Sequence, residues 1–181
     1  MAEIKSSIQI AMERASALGG GDSNEEAREE GKRQGRALGR RAASGELAPA
    51  SLAASLAQLP QDQQGSARQA AASALMEDLE EGWQGRLTAL AALAAAGPAE
   101  AAVVELARVL AQEERVTVDL HQELAQELLA ALAAEGIGGS AVHPNPAAHP
   151  QLKQRYEQAV AALGPRRQAA LSATSQAFQT L

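Results

Sequence analysis

Residues 97–136 read GPAEAAVVELARVLAQEERVTVDLHQELAQELLAALAAEG, and the fold class turns on this stretch. Gly97 suits the end of one helix, and Pro98 suits the first position of the next, where its missing N–H has no partner to lose. Val103, Leu106, Leu110, Thr117, Leu120, Leu124, Leu128 and Leu132 then recur at intervals close to the helical period, on or near one face. Gln112, Glu113, Glu114 and Arg115 interrupt that face, where a bend or a solvent-facing gap is expected. Gly136 stands where a left-handed residue closes a helix, and Ile137 supplies the apolar contact of such a cap. The spacing predicts one long helix from Pro98 to Glu135.

The flanking sequence repeats the pattern. Towards the N-terminus, Leu75, Leu79, Trp83, Leu87 and Leu90 keep helical phase through Gly82 and Gly85, which predicts a continuous helix over about 62–96. A short helix ending at Pro60 is expected to carry Pro49 near its start and Leu52, Leu56 and Leu59 as its stripe. Towards the C-terminus, a helix opens near Pro150 with Leu152, Tyr156, Val160 and Leu163. It continues through Leu171, Thr174 and Phe178, with Pro165 expected to kink it or to start a new helix. No stretch alternates as a strand would.

The first 45 residues differ. Ile4, Ile8, Met12 and Ala15 form an apolar stripe, and Gly19, Gly20 and Gly21 read as a flexible hinge after Leu18. A second helix is expected from Asp22 or Ser23, with Glu25 and Glu26 as capping-box partners. It holds Glu25, Glu26, Glu29 and Glu30 early and Lys32, Arg33, Arg36, Arg40 and Arg41 late, an order that complements the helix dipole. With Leu38 almost its only large apolar residue, it reads as a solvated arm.

Composition fits helices packed closely around a thin core. Of 181 residues roughly a quarter are Ala, and there are one Trp, one Tyr and one Phe. Ala favours helix but buries little apolar area. The expectation is an all-α protein, an antiparallel helical bundle of long Ala/Leu-rich helices over residues 61–181. A partly flexible N-terminal helical arm and short helix over 1–60 would precede it. The expected bundle core is Leu75, Leu79, Trp83, Leu87, Leu106, Leu110, Leu120, Leu124, Tyr156 and Val160.

Charge and chemistry narrow the function classes. Cysteine is absent, which excludes disulfides, thiolate metal sites and thiol nucleophiles. The net charge of −6 divides as +1 over 1–45, −4 over 46–97, −6 over 98–136 and +3 over 137–181. Nucleic acid is disfavoured as a partner because no concentrated basic face is offered. The opposite signs of the last two segments predict that the C-terminal helix folds back on the acidic one. No apolar run reaches the length of a transmembrane segment, and the N-terminus lacks the core of a signal peptide, so the cytoplasm is the expected location.

Three candidate sites compete. EGIGGSAV at 135–142 offers Gly136, Gly138 and Gly139 beside His143, with His149 further on. Its glycines follow a helix, no GK[ST] is present, and the reading favoured is a helix cap rather than a phosphate loop. His121, His143 and His149 lack zinc-like spacing, and no Glu-x-x-His pair precedes His121. The acidic run Glu77, Asp78, Glu80 and Glu81 reads as a solvated face. No metal, cofactor or catalytic residue is assigned, and an enzyme is not expected.

MAEIKSSIQIAMER at the start and LAAEGIGGSAVHPN further on together resemble a family of small, uncharacterised bacterial helical proteins that open with a MAEIKS-type helix. The resemblance implies no activity and no catalytic residue. It implies that the N-terminal helix and the 136–145 loop matter beyond connection. The leading expectation is therefore a non-enzymatic interaction or adaptor protein that docks an unidentified protein partner through Ile4, Ile8 and Met12. The alternatives are a small-ligand or metal-binding bundle or enzyme using the 136–149 loop, and a self-assembling helical homo-oligomer.

Overall fold

The computed structural model describes residues 7–77, 79, 82–94, 98–139 and 142–180, with the backbone alone described over 7–22. The fold is all-α. Among the described residues there are six α-helices, one 3-10 turn and no strand. The helices are α1 (Ser7–Ala43), α2 (Pro49–Ala57), α3 (Gln61–Met76), α4 (Trp83–Ala94), α5 (Pro98–Ala134) and α6 (Pro150–Gln179). They form two compact units, residues 1–103 with 175–181, and residues 104–174.

The first unit is built on α1 and α3. Gly31 lies against Gln63 and Ser66, Gly35 against Ala67, and Gly39 against Ala71 and Ala74. Both sets of numbers rise together, so the two helices run parallel. A Cβ on Gly31 would fall 2.6 Å from the Gln63 carbonyl oxygen, and one on Gly39 would fall 2.6 Å from that of Ala71. At Gly35 it would overlap the Ala67 carbonyl group. Glycine at these three positions lets the two backbones touch, with small-residue contacts in place of a leucine layer. The 31–43 stretch is thus not the solvated arm expected from its lack of large apolar residues.

Two further expectations about helix ends are corrected. α1 continues through Gly19, Gly20 and Gly21 instead of hinging there. Helical glycine costs about 1 kcal/mol relative to Ala, so three cost about 3 kcal/mol. Stopping and nucleating a new helix carries a penalty near 10⁻³ in equilibrium constant, about 4 kcal/mol, besides eight newly unpaired backbone groups. Continuation is the cheaper choice.

The expected 62–96 helix is instead broken. α3 ends at Met76 with Glu77 extended (ψ 133), and Gly82 takes φ +65 before α4 begins at Trp83. Acidic residues at a helix C-terminus oppose its dipole, and the run Glu77–Asp78 with Glu80 and Glu81 sits there. Breaking the helix also lets α4 fold back on α2 and α3 and bury Leu87, Leu90 and Leu93. Arg86 of α4 donates to the Glu77 carbonyl, tying the two segments together.

α2 follows the sequence reading. Pro49 opens it, Leu52 and Leu56 are buried, and Leu59 is half-buried. Its C-terminal carbonyls at Ala57 and Leu59 accept from the Gln64 amide at 3.2 and 2.8 Å. Leu75 and Leu79 are buried in this unit too, as are Ala42, Ala99, Val103 and Phe178.

The second unit contains most of α5 and α6. Arg155 pairs with Glu127 at 2.6 Å, and the rings of His121 and Tyr156 meet edge to face at 6.4 Å. Arg166 also lies close enough to Glu105 to favour its charged form. The pairs 105 with 166 and 127 with 155 run in opposite order along the two helices, the sense expected from the segment charges. Leu106, Leu110, Leu124 and Leu152 are buried, while Leu120, Tyr156 and Val160 are half-buried, as is Trp83 in the first unit. Pro165 lies inside α6, which is one helix.

Candidate functional site

α1 extends N-terminally past the stretch along which it touches α3. α3 starts at Gln61, and Gly31 already lies beside Gln63. Because the helices are parallel, residues 7–28 of α1 run beyond the start of α3 for about 33 Å at 1.5 Å per residue. Residues 23–26, 28 and 29 are exposed, as a helix without a neighbour would be. The backbone remains helical to Ser7. Ile4 lies outside the described residues, and the side chains of Ile8 and Met12 do too; their backbone belongs to α1.

The basic stretch of α1 is internally neutralised. Lys32 pairs with Glu29 and Arg33 with Glu30, each at 2.6 Å. Arg40 lies 3.8 Å from Glu77, and Arg41 lies 3.9 Å from Glu46. Hydrogen bonds from Gln34 and Arg33 hold the Glu30 carboxyl below the ordinary carboxylate value. Glu29, Glu30, Glu46 and Glu77 interleave with these cations, so the run presents alternating charge instead of a polyanion-binding face.

The 136–149 loop is organised by backbone chemistry. Gly136 has φ +81; its N–H donates to the Ala133 carbonyl at 3.0 Å, and that of Ile137 donates to Leu132 at 2.9 Å. This pair of bonds is the Schellman cap, which needs a left-handed residue at Gly136. Gly139 has φ +126, and Gly138 has open space around it. Asn145 Oδ1 accepts from the Ala147 N–H at 3.1 Å, starting the 3-10 turn Pro146–Ala148, and Pro146 is buried. His143 and His149 are exposed. Among the described residues no three His, Asp or Glu side chains converge in a way that could hold a metal ion.

Gly136→Ala should destabilise the α5 cap by about 1–2 kcal/mol, the cost of a left-handed L-residue. Open space surrounds the position, so the loss is conformational and not steric. Urea denaturation followed by circular dichroism reads it, and Gly136→Asn should recover part of it.

Sequence reasoning missed two features. The G-x-x-x-G-x-x-x-G spacing of Gly31, Gly35 and Gly39 was available as a signal for close helix approach. On α5, Val104, Val118 and Leu129 remain 64, 48 and 40% exposed, on the side away from the leucine stripe that marks the helix. No described helix is long and apolar enough to cross a membrane. No protein-family model, curated protein or solved structure matches the chain.

Proposed function

We propose that this protein is a non-enzymatic interaction or adaptor protein, working in the cytoplasm, whose N-terminal helix docks a protein partner through Ile4, Ile8 and Met12. One observation carries the reading: α1 is held by α3 along residues 31–39 and continues N-terminally as helix, with residues 23–26, 28 and 29 exposed. On a helix of 3.6 residues per turn, positions 8, 12 and 15 fall on the side of the axis opposite to 31, 35 and 39. α3 therefore takes one side of the helix, and the apolar positions of the N-terminal limb belong to the other. Spaced apolar anchors on one face are what a helix-binding groove reads. A continuous helix also presents them without the ordering cost of a flexible tether.

The test is affinity purification of tagged full-length protein from its own cell lysate beside the Ile8→Asp variant. A stoichiometric protein should accompany the wild type and be lost from the variant, whose helical content and thermal midpoint stay unchanged. A lowered midpoint would instead make Ile8 part of a core, and a wild type that retains nothing would contradict docking.

A further inference from the structure

We infer that α5 carries a second apolar face which pairs, antiparallel, with the same face of a second copy of this chain. α6 takes one side of α5, through Glu127 and His121, with Leu106, Leu110 and Leu124 buried on that side. Val104, Val118 and Leu129 lie well around the helix from it, 64, 48 and 40% exposed. Exposed β-branched residues cost helix propensity without returning burial, so a face that spends two of them on water has a use for them elsewhere.

The order of residues selects the occupant. Positions 104, 111, 118, 125 and 132 are Val, Ala, Val, Ala and Leu, a heptad row that drifts from the exposed Val104 and Val118, with half-buried Ala111 and Ala125 between, to the half-buried Leu132 at the edge of the leucine stripe, and reads nearly the same in both directions about Val118. In an antiparallel pair with its two-fold axis at Val118, that residue meets its own copy and Ala111 meets Ala125. Val104 then meets Leu132. A two-fold contact of one surface with itself needs this self-complementarity.

Charge points the same way. Beside the row at its centre, Arg115 stands on the N-terminal side of Val118 and Asp119 on the C-terminal side. Antiparallel pairing sets Arg115 of one copy near Asp119 of the other, twice about the axis. Arg115 and Asp119 are both exposed, and neither has an ion-pair partner among the described residues. Arg108 already pairs with Glu105 at 2.8 Å. This surface uses none of Ile4, Ile8 and Met12, so the two proposals stand or fall independently.

The experiment uses full-length protein, in which a single introduced thiol is unique because the chain has no cysteine. Sedimentation equilibrium should show a mass rising with concentration from 18.7 kDa to twice that value. Val118→Cys should give a disulfide-linked dimer on mild oxidation, because only a residue at the axis approaches its own copy within bridging distance. Val104→Cys alone should not crosslink, but mixed with Leu132→Cys it should. Val118→Asp should stay monomeric with unchanged helical signal, and Ile8→Asp should leave the dimer intact. A wild type that is monomeric at every concentration would overturn the inference and leave the face to another protein. Self-crosslinking of Val104→Cys as readily as Val118→Cys would overturn the antiparallel arrangement.

Discussion

Gly35→Ala is expected to destabilise the first unit by about 3 kcal/mol or more, while the same substitution at Gly65 stabilises it by up to about 1 kcal/mol. Both glycines are helical, so both gain the propensity of Ala. They differ in what the added methyl meets. At Gly65 there is nothing within 4 Å, whereas at Gly35 the methyl runs into the backbone of Ala67. A carbonyl of a neighbouring helix cannot rotate away as a side chain can. The two helices must therefore separate along the line Gly31–Gly39, and the contacts at all three glycines weaken together. Parallel urea titrations of the two variants, read by circular dichroism, check the opposite signs. Equal small effects would mean that α1 does not approach α3 this closely.

Leu75→Ala is the second large effect, expected at about 3 kcal/mol within the 2–5 kcal/mol range of buried leucine truncations. Leu75 is fully buried, and the other buried residues of α3 are all alanine: Ala67, Ala70, Ala71, Ala72 and Ala74. Truncation removes the only large buried side chain that α3 contributes, and the lining of the cavity loses its contacts. Val116→Ala, at a residue 37% exposed, should change stability by no more than about 0.5 kcal/mol. In a core this poor in large side chains, each leucine carries more than its usual share.

What was legible in the sequence follows from which forces act locally. Gly136 as a helix end, Pro98 and Pro49 as helix starts, and the Leu106, Leu110 and Leu124 stripe all depend on residues within one or two turns. The same holds for the fold-back of α6 on α5, which the opposite charges of the two segments made readable. The glycine face of α1 was not, because a search for cores by large apolar residues passes over a contact made by the absence of side chains. Phase alone misled at Gly82: a leucine stripe stays in step across a break when both helices bury into the same core. The three glycines at 19–21 misled in the other direction, since single-residue propensity omits the cost of starting a helix again.

The candidate site was readable in part. The sequence marked Ile4, Ile8 and Met12 as an apolar set, but placed them beyond a hinge. With α1 continuous from Ser7, Ile8 and Met12 belong instead to the same helix that α3 grips along residues 31–39. The exposed face of α5 was hidden by its neighbour, since the leucine stripe beside it is stronger and accounts for the helix by itself.

The most direct test of this account is the straightness of α1 across Gly19–Gly21. In a chain without cysteine, Glu13→Cys with Arg36→Cys places two spin labels 23 residues apart, about 35 Å along a continuous helix. Pulsed electron–electron distance measurement on the full-length protein should give a single narrow distribution centred near that separation. A broad distribution reaching to much shorter distances would restore the hinge and remove the rigid stem on which the docking proposal rests.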